Sequence, residues 1–300
     1  MRSPSGVVVI DKPRGPSSFD VVAAVRRTLR ERRVGHTGTL DPMATGVLPV
    51  CVGEATKLVP FLMDGNKSYD AEAVLGEATD TLDATGTVVA RTDARHVTRA
   101  AVEASLATLV GTIRQTPPAH SAIRVAGRRA YELARAGEEV ELTPREVRVD
   151  AITLTSFASD GATARIGFSV DCGKGTYIRS LAGDLGAALG VGAHLTALRR
   201  TRVGPFTLAD AVPLDALRPD TPLRSLADAV AHLPTLRLDP DECRAVREGK
   251  SRRVAALPAP SDAPRVRLLD GTGALVAVAG RAAPGAPLTL ERVFVPIEDN

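Results

Sequence analysis

Tryptophan is missing from this chain, and aromatic residues of every kind make up 3% of its 300 residues. An extended aromatic platform for stacking nucleobases is therefore excluded, and each tyrosine has to be judged singly. The three cysteines, Cys51, Cys172 and Cys243, stand far apart and form no C-x-x-C pair. That spacing argues against a disulfide framework or a structural zinc site and fits a reducing cytoplasm. No apolar run approaches the roughly 18 residues a membrane span needs. The run Val7 to Ile10 is also too short for the core of a signal peptide. A soluble, cytoplasmic protein is expected.

Lysine is scarce as well. Lys12, Lys57, Lys67, Lys174 and Lys250 are the whole complement among 38 basic residues, so the positive charge is nearly all arginine. The planar arginine fork suits phosphate oxygens, although a compositional bias toward Ala and Arg explains the same count. The net charge of +3 is mildly basic and forms no polybasic tail. Apolar residues at 44% allow a sizeable core, and the length suits one large domain with a small one.

The β-branched run Val7 to Ile10 predicts a buried strand, ended by a turn at Asp11 to Pro16. Ser17 or Ser18 then caps a helix with Val21, Val22, Val25 and Leu29 on one face. Pro49 to Gly53 reads as a short buried strand, and Glu54 to Met63 as a helix weakened by Pro60. Asn66 to Gly76, Thr112 to Thr116, Val147 to Leu154 and Thr163 to Asp171 read as strands. Thr98 caps a helix that runs to Gly111, and a further helix carries Ile178, Leu181, Leu185 and Leu189 on one face. Proline density rises over 213–234, where a domain boundary is expected. Asp239, Pro240 and Glu242 start a helix, and strand-like runs follow at Val266 to Leu269, Leu275 to Ala279 and Leu288 to Val295.

The chemistry is expected between Gly35 and Pro49. Three glycines and two prolines there rule out a long regular element. Asp41 lies at the centre, followed by Pro42 and surrounded by small and hydroxyl residues. A backbone this constrained can hold a lone carboxylate in place and admit a ligand closely. A plain surface turn with Asp at a usual turn position fits the composition too. Elsewhere, Asp80 and Asp83 lack the companions of a calcium loop and read as turn and capping residues. The text Gly173-Lys174-Gly175-Thr176 lacks the P-loop spacing.

The run from Gly35 to Pro49 resembles the catalytic loop of the TruB family of tRNA pseudouridine synthases, G-H-T-G-x-L-D-P-x-A-T-G-x-L-P. Asp11-Lys12-Pro13-Arg14-Gly15-Pro16-Ser17-Ser18 resembles the family's first motif, with Ser17 where Thr is commoner. Lys67-Ser68-Tyr69 resembles its K-x-Y motif, and Gly175-Thr176-Tyr177-Ile178-Arg179 its third motif. Resemblance covers about Gly6 to Phe206. It implies Asp41, Tyr69 and Arg179 as catalytic residues: Asp41 as the essential carboxylate, Tyr69 stacked on the target base and Arg179 paired with Asp41. It implies substrate contacts from His36, Tyr177, Leu198, Lys12 and Arg124. His36 could fill the gap a flipped base leaves, or could simply bond to its own loop. Lys12 could touch phosphate, or be a solvated turn lysine. Leu198 would line the base pocket, and Arg124 stands where the family has Lys.

The fold implied is α+β: a mixed, mainly antiparallel pseudouridine-synthase sheet with flanking helices, plus a small C-terminal PUA-like β-barrel. Residues 1–230 would be catalytic, with a thumb-like insertion at about 118–145, and 231–300 the PUA-like RNA-binding domain. The substrate implied is the T-loop uridine (position 55) of tRNA. RNA affinity is expected from the thumb, the run Arg199 to Arg202 and the C-terminal domain. The isomerisation moves no electrons and loses no group, so no redox cofactor, ATP or metal is required. The protein is expected to act as a monomer without a protein partner. An RNA-folding chaperone is the competing reading.

Overall fold

The computed structural model describes residues 5–294, apart from 122, 126–127, 131–132, 134–137, 139–141, 259 and 261. Its first strand, β1 (Gly6–Lys12), shows why the main sheet has a core on each face. Side chains alternate across a strand. Val8 and Ile10 enter one apolar cluster, and Val7 and Val9 enter a second on the opposite face. Asp11 and Lys12 continue the strand instead of turning. Ser17 then caps the helix Ser18–Leu29 through a reciprocal box: its hydroxyl accepts the Asp20 N–H at 3.2 Å, and the Asp20 carboxylate accepts the Ser17 N–H at 2.8 Å. Val21, Val22, Val25 and Leu29 are buried as the pattern predicts.

The chain continues through β2 (Val34–His36), β3 (Thr45–Val52) and β4 (Lys67–Leu75). Next come β5 (Glu77–Thr79), β6 (Val88–Arg91), β7 (Gly111–Gln115), β8 (Arg124–Val125) and β9 (Arg128–Arg129). After these lie β10 (Arg145–Asp160), β11 (Thr163–Cys172), β12 (Ala193–Val203), β13 (Phe206–Thr207) and β14 (Val212–Pro213). The main sheet runs β14-β1-β3-β12-β4-β11-β10-β7, with β2 added to β3 and β13 to β12. Only β1–β14 and β3–β12 are parallel, so the sheet is mixed and mainly antiparallel. Three helices, Ser18–Leu29, Arg99–Thr108 and Ile178–Ala188, bury Val21, Leu106 and Leu181 in the same cluster.

Two local expectations are revised. The strand expected from Pro49 starts at Thr45, because residues 45–48 pair with β1 and β12 from inside the loop. The single helix expected over Glu54 to Met63 is a 3₁₀ turn, Gly53–Leu58, followed by a short α-helix, Val59–Met63. Pro60 sits in the first turn of that α-helix, where its missing N–H costs nothing. Of the expected thumb, β8 and β9 pair as a short antiparallel ribbon, and much of the remainder lies outside the described residues.

Three C-terminal strands fall where the sequence puts them, β16 (Arg265–Leu269), β17 (Leu275–Gly280) and β18 (Thr289–Val293), and a fourth that the sequence does not suggest, β15 (Thr235–Arg237), precedes them. They pair in that order, with no closing pair among the described residues. The helix Pro240–Arg247 carries the expected Asp239 cap and Glu242 box. This unit has its own core around Val246, Val266 and Leu268. It also rests on the back of the main sheet, where Leu269, Val278 and Phe294 join the cluster that holds Val7 and Val47. Arg265 links the two by its ion pair to Asp64, while Glu291 of its own sheet holds it from the other side.

Candidate active site

The loop between β2 and β3 is tied down on every side. Ser18 Oγ accepts the Leu40 N–H at 2.8 Å and donates to the Leu40 carbonyl at 3.0 Å. The Pro42 carbonyl accepts the Gly15 N–H at 2.8 Å. Lys12 lies fully buried beneath, its Nζ donating to Ala44 O at 2.7 Å, Pro13 O at 3.0 Å and Pro42 O at 3.3 Å. The ammonium thus faces loop carbonyls and not solvent, which removes both the solvated-lysine reading and a free reach to phosphate. Burial drops its pKa to about 8, with Asp41 opposing the change and Arg200 adding to it.

Asp41 projects from this loop with a third of its side chain exposed. Arg179, in the first turn of the helix Ile178–Ala188, is 4% exposed and meets it with two nitrogens. Its Nε lies 3.0 Å from Oδ2, and its Nη2 donates to Oδ1 at 3.2 Å. The remaining donors are spent on the carbonyls of Thr81 and His120, at 3.0 and 2.9 Å. Burial pushes the Asp41 carboxyl above its ordinary pKa, Arg179 pulls it back and the Asp83 charge pushes it further up.

Asp83 is the part that sequence reasoning missed. Its carboxylate does the expected turn work, accepting from Thr81 Oγ1 at 2.9 Å and from the Thr85 N–H at 2.9 Å. It is also buried, and its Oδ2 lies 3.5 Å from Arg179 Nη1. Leu82, just before it, adopts a left-handed φ of 59°. Such backbone costs about 1–3 kcal/mol and persists only where neighbours enforce it. Here they do: Leu82 O accepts from Leu195 N, and Ala84 N donates back to Leu195 O. Asp80 remains a plain turn residue, accepting the Thr87 N–H at 2.8 Å.

Tyr69 on β4 stands directly opposite Arg200 on β12, and Leu198 opposite Ala71. Residues paired this way share a face, so Tyr69 and Leu198, each 7% exposed, line one floor. Burial raises the Tyr69 phenol pKa, while Arg200 draws it down. His36 Nδ1 accepts the Gly38 N–H at 3.2 Å, and burial and Arg200 lower its pKa, so the ring is neutral and bonded to its own loop. Tyr177 caps the helix that carries Arg179. Its N–H and carbonyl are gripped by Gln115, and Arg145 lies 5.1 Å from its ring. Arg124 enters only through the backbone of β8; its side chain lies outside the described residues.

The run Arg199 to Arg202 is not a free basic surface. Arg199 is paired with Asp11 at 2.8 Å and Arg202 with Asp171 at 3.1 Å. Arg200 is buried under the loop. Alternation along β12 turns Arg200 inward, which a count of arginines does not reveal.

The site is thus one carboxylate paired with a buried arginine, beside a buried phenol and an apolar floor. Among the described residues no group of His, Cys, Asp and Glu could hold a metal ion. Comparison with known proteins matches residues 26–178 to the N-terminal domain of TruB family pseudouridylate synthase. Residues 179–227 match the tRNA pseudouridylate synthase B C-terminal domain. A tRNA pseudouridine synthase B of Thermobifida fusca is 53% identical over 81% of this chain and 85% of its own length. One of Mycolicibacterium paratuberculosis is 50% identical over 85% of this chain and 87% of its own. A chain in the crystal structure of a Cbf5-Nop10-Gar1 complex superposes with a TM-score of 0.73 at 28% identity, covering 97% of this chain and 85% of that one. By sequence and by fold, the chain belongs to the TruB family of pseudouridylate synthases.

Proposed function

We propose that this chain converts the T-loop uridine of tRNA, position 55, to pseudouridine, with Asp41 as the essential carboxylate acting on a flipped-out base. The observation that carries the reading is the Asp41–Arg179 pair, presented by a loop that Lys12 and Ser18 tie down on either side of the carboxylate. The tRNA substrate is supported by the relatives, which are named tRNA pseudouridine synthase B. A further solved relative, 27% identical with a TM-score of 0.71, is described as an H/ACA RNP bound to a substrate RNA containing 2′-deoxyuridine.

The reaction breaks C1′–N1, turns the uracil and forms C1′–C5. N1 gains a proton and C5 loses one, so atoms and electrons balance without a co-reactant. A carboxylate can serve by attacking C1′ or C6, or by taking a sugar proton; all three routes require it ionised. Arg179 favours that form once water is excluded. A stacked uridine must first be extruded, at a few kcal/mol. Tyr69 then offers a ring face to the base and a hydroxyl near C5. The four-stranded C-terminal unit is read as a PUA-like RNA-binding domain and 118–145 as a thumb. The chain would act as a cytoplasmic monomer on the T stem-loop.

The test is release of tritium from an unmodified tRNA transcript labelled at uridine C5, run beside Asp41→Ala. One tritium per tRNA with the unaltered chain and none with the variant is expected. Replacing only the T-loop uridine by cytidine should abolish release. Tight, salt-sensitive RNA binding without release by either protein would favour the chaperone reading instead.

A further inference from the structure

Arg200 heads the fully buried side chains by volume, at 1% exposure. A buried charge is costly unless something answers it. Among the described residues no carboxylate lies within ion-pair distance of this one. Its guanidinium donates instead to three backbone carbonyls: Nε to Val47 at 2.8 Å, Nη2 to Gly38 at 3.0 Å and Nη1 to Thr39 at 3.4 Å. Gly38 and Thr39 lie just before Asp41, and Val47 just after the loop that carries it. One side chain therefore grips that loop at both ends.

The backbone of Arg200 is pressed against the same loop. It pairs with Gly46 across the parallel β3–β12 junction, and a Cβ on Gly46 would lie 2.2 Å from the Arg200 carbonyl oxygen. Gly46 also adopts a φ of +101°, so no side chain is tolerated there. On the other edge of β12, Arg200 faces Tyr69 as its direct cross-strand partner. Its charge acts on the Tyr69 hydroxyl and on the His36 ring. Lys12, Lys67, Asp41 and Cys172 also act on or near this group. Were stability alone at issue, an uncharged side chain would be the cheaper filling for this position.

We infer that Arg200 is a positioning residue for the isomerisation: its buried guanidinium locks the loop that carries Asp41 to the strand pair that carries Tyr69, so that carboxylate and phenol meet one uridine in fixed relation. The inference rests on the uridine isomerisation proposed above. It assigns Arg200 no contact with the base; Arg200 acts through Asp41 and Tyr69. Misplacing a reacting group by about 1 Å costs on the order of 100-fold in rate.

The experiment is single-turnover tritium release with Arg200→Ala, Arg200→Lys and the unaltered chain, each with its RNA dissociation constant and circular dichroism. Arg200→Ala should react about 100-fold more slowly with RNA affinity within about threefold. Added guanidinium ion should recover about tenfold of that loss. Arg200→Lys, which keeps the charge but not the three-way grip, should fall between. The phenolate transition of Tyr69, assigned by difference from Tyr69→Phe, should move to higher pH in Arg200→Ala. A rate near that of the unaltered chain in either folded variant overturns the inference. So does a loss of rate that tracks lost RNA binding, with neither rescue nor a shifted phenol, since that marks a merely structural arginine. If Arg200→Ala does not fold, Arg200→Lys decides by its rate and its Tyr69 transition. Failure of the unaltered chain to release tritium would instead count against the isomerase reading itself.

Discussion

Arg179 meets Asp41 edge-on, with Nε 3.0 Å from Oδ2 and Nη2 donating to Oδ1 at 3.2 Å. One hydrogen bond and a second close nitrogen set the carboxylate against a rigid planar cation, so the pair constrains its orientation as well as its charge. A lysine supplies the charge without the plane. Arg179→Lys is therefore expected to lose about 100-fold in turnover while still binding RNA. Steady-state tritium release decides it, and near-normal turnover would refute the orienting role.

The Asp41 carboxyl is held above its ordinary pKa by burial. A raised folded pKa in an acid contributes stability below the unfolded value and loses it as pH rises, so at neutral pH the ionised group works against folding. Asp41→Asn should abolish isomerisation and unfold at or above the midpoint of the unaltered chain. A clearly lower melting temperature would contradict this account of the site.

Asp83 pushes the Asp41 pKa up through its charge. Asp83→Asn removes that charge, and the Asp41 pKa should fall. The acid limb of the kcat/KM profile is then expected at lower pH, together with a reduced maximum because Arg179 loses a neighbour. A profile whose acid limb stays in place would show that Asp83 does not act on Asp41.

Tyr69 is buried opposite Arg200. Tyr69→Phe keeps the ring and removes the hydroxyl. It should retain RNA affinity and lose most of the rate, or trap an intermediate on the RNA that gel electrophoresis can resolve. Unimpaired turnover would exclude a proton-handling role for the phenol.

Alkaline stability should follow two opposed sets of groups. Lys12 and Lys67 drop from 10.5 to about 8 in the folded chain. Between those values the unfolded chain holds more protons, so stability rises with pH. Burial lifts Cys51 from 9.0 to about 12 and Cys172 from 9.0 to about 11. Above pH 9 the unfolded thiols ionise first, and stability falls. The urea midpoint should climb from about pH 8 to 9, level off and decline above about 10.5. A steady fall from pH 8 onward would show that the lysines are not desolvated.

What the sequence disclosed depended on how local the cause was. The Ser17 and Asp239 caps, the helix face of Val21, Val22 and Val25, and the alternation of β11 rest on neighbours within a turn or a strand, and they were legible. Asp41 and Arg179 were legible only through motif resemblance, since no spacing rule joins residues so far apart in the chain. Asp83 looked like a turn residue because its turn partners are adjacent in sequence, while the arginine it faces arrives from a later helix. Lys12 and Arg200 were misjudged for one reason. Charge suggests solvent, and only the assembled sheet reveals that both cations point inward at backbone carbonyls.

The position of β12 has a consequence for how the molecule is made. In the sheet it separates β3 from β4, though it follows both by more than a hundred residues. During synthesis the strands already released leave one edge of β4, and the start of β3 at Thr45 and Gly46, without a partner. These groups are not satisfied until residues 193–203 leave the ribosome. The same strand delivers Arg200 to the loop that carries Asp41, and Leu198 to the floor beside Tyr69. A nascent chain therefore gains its last central strand and a finished site in one event, and a chain stopped before Ala193 has neither.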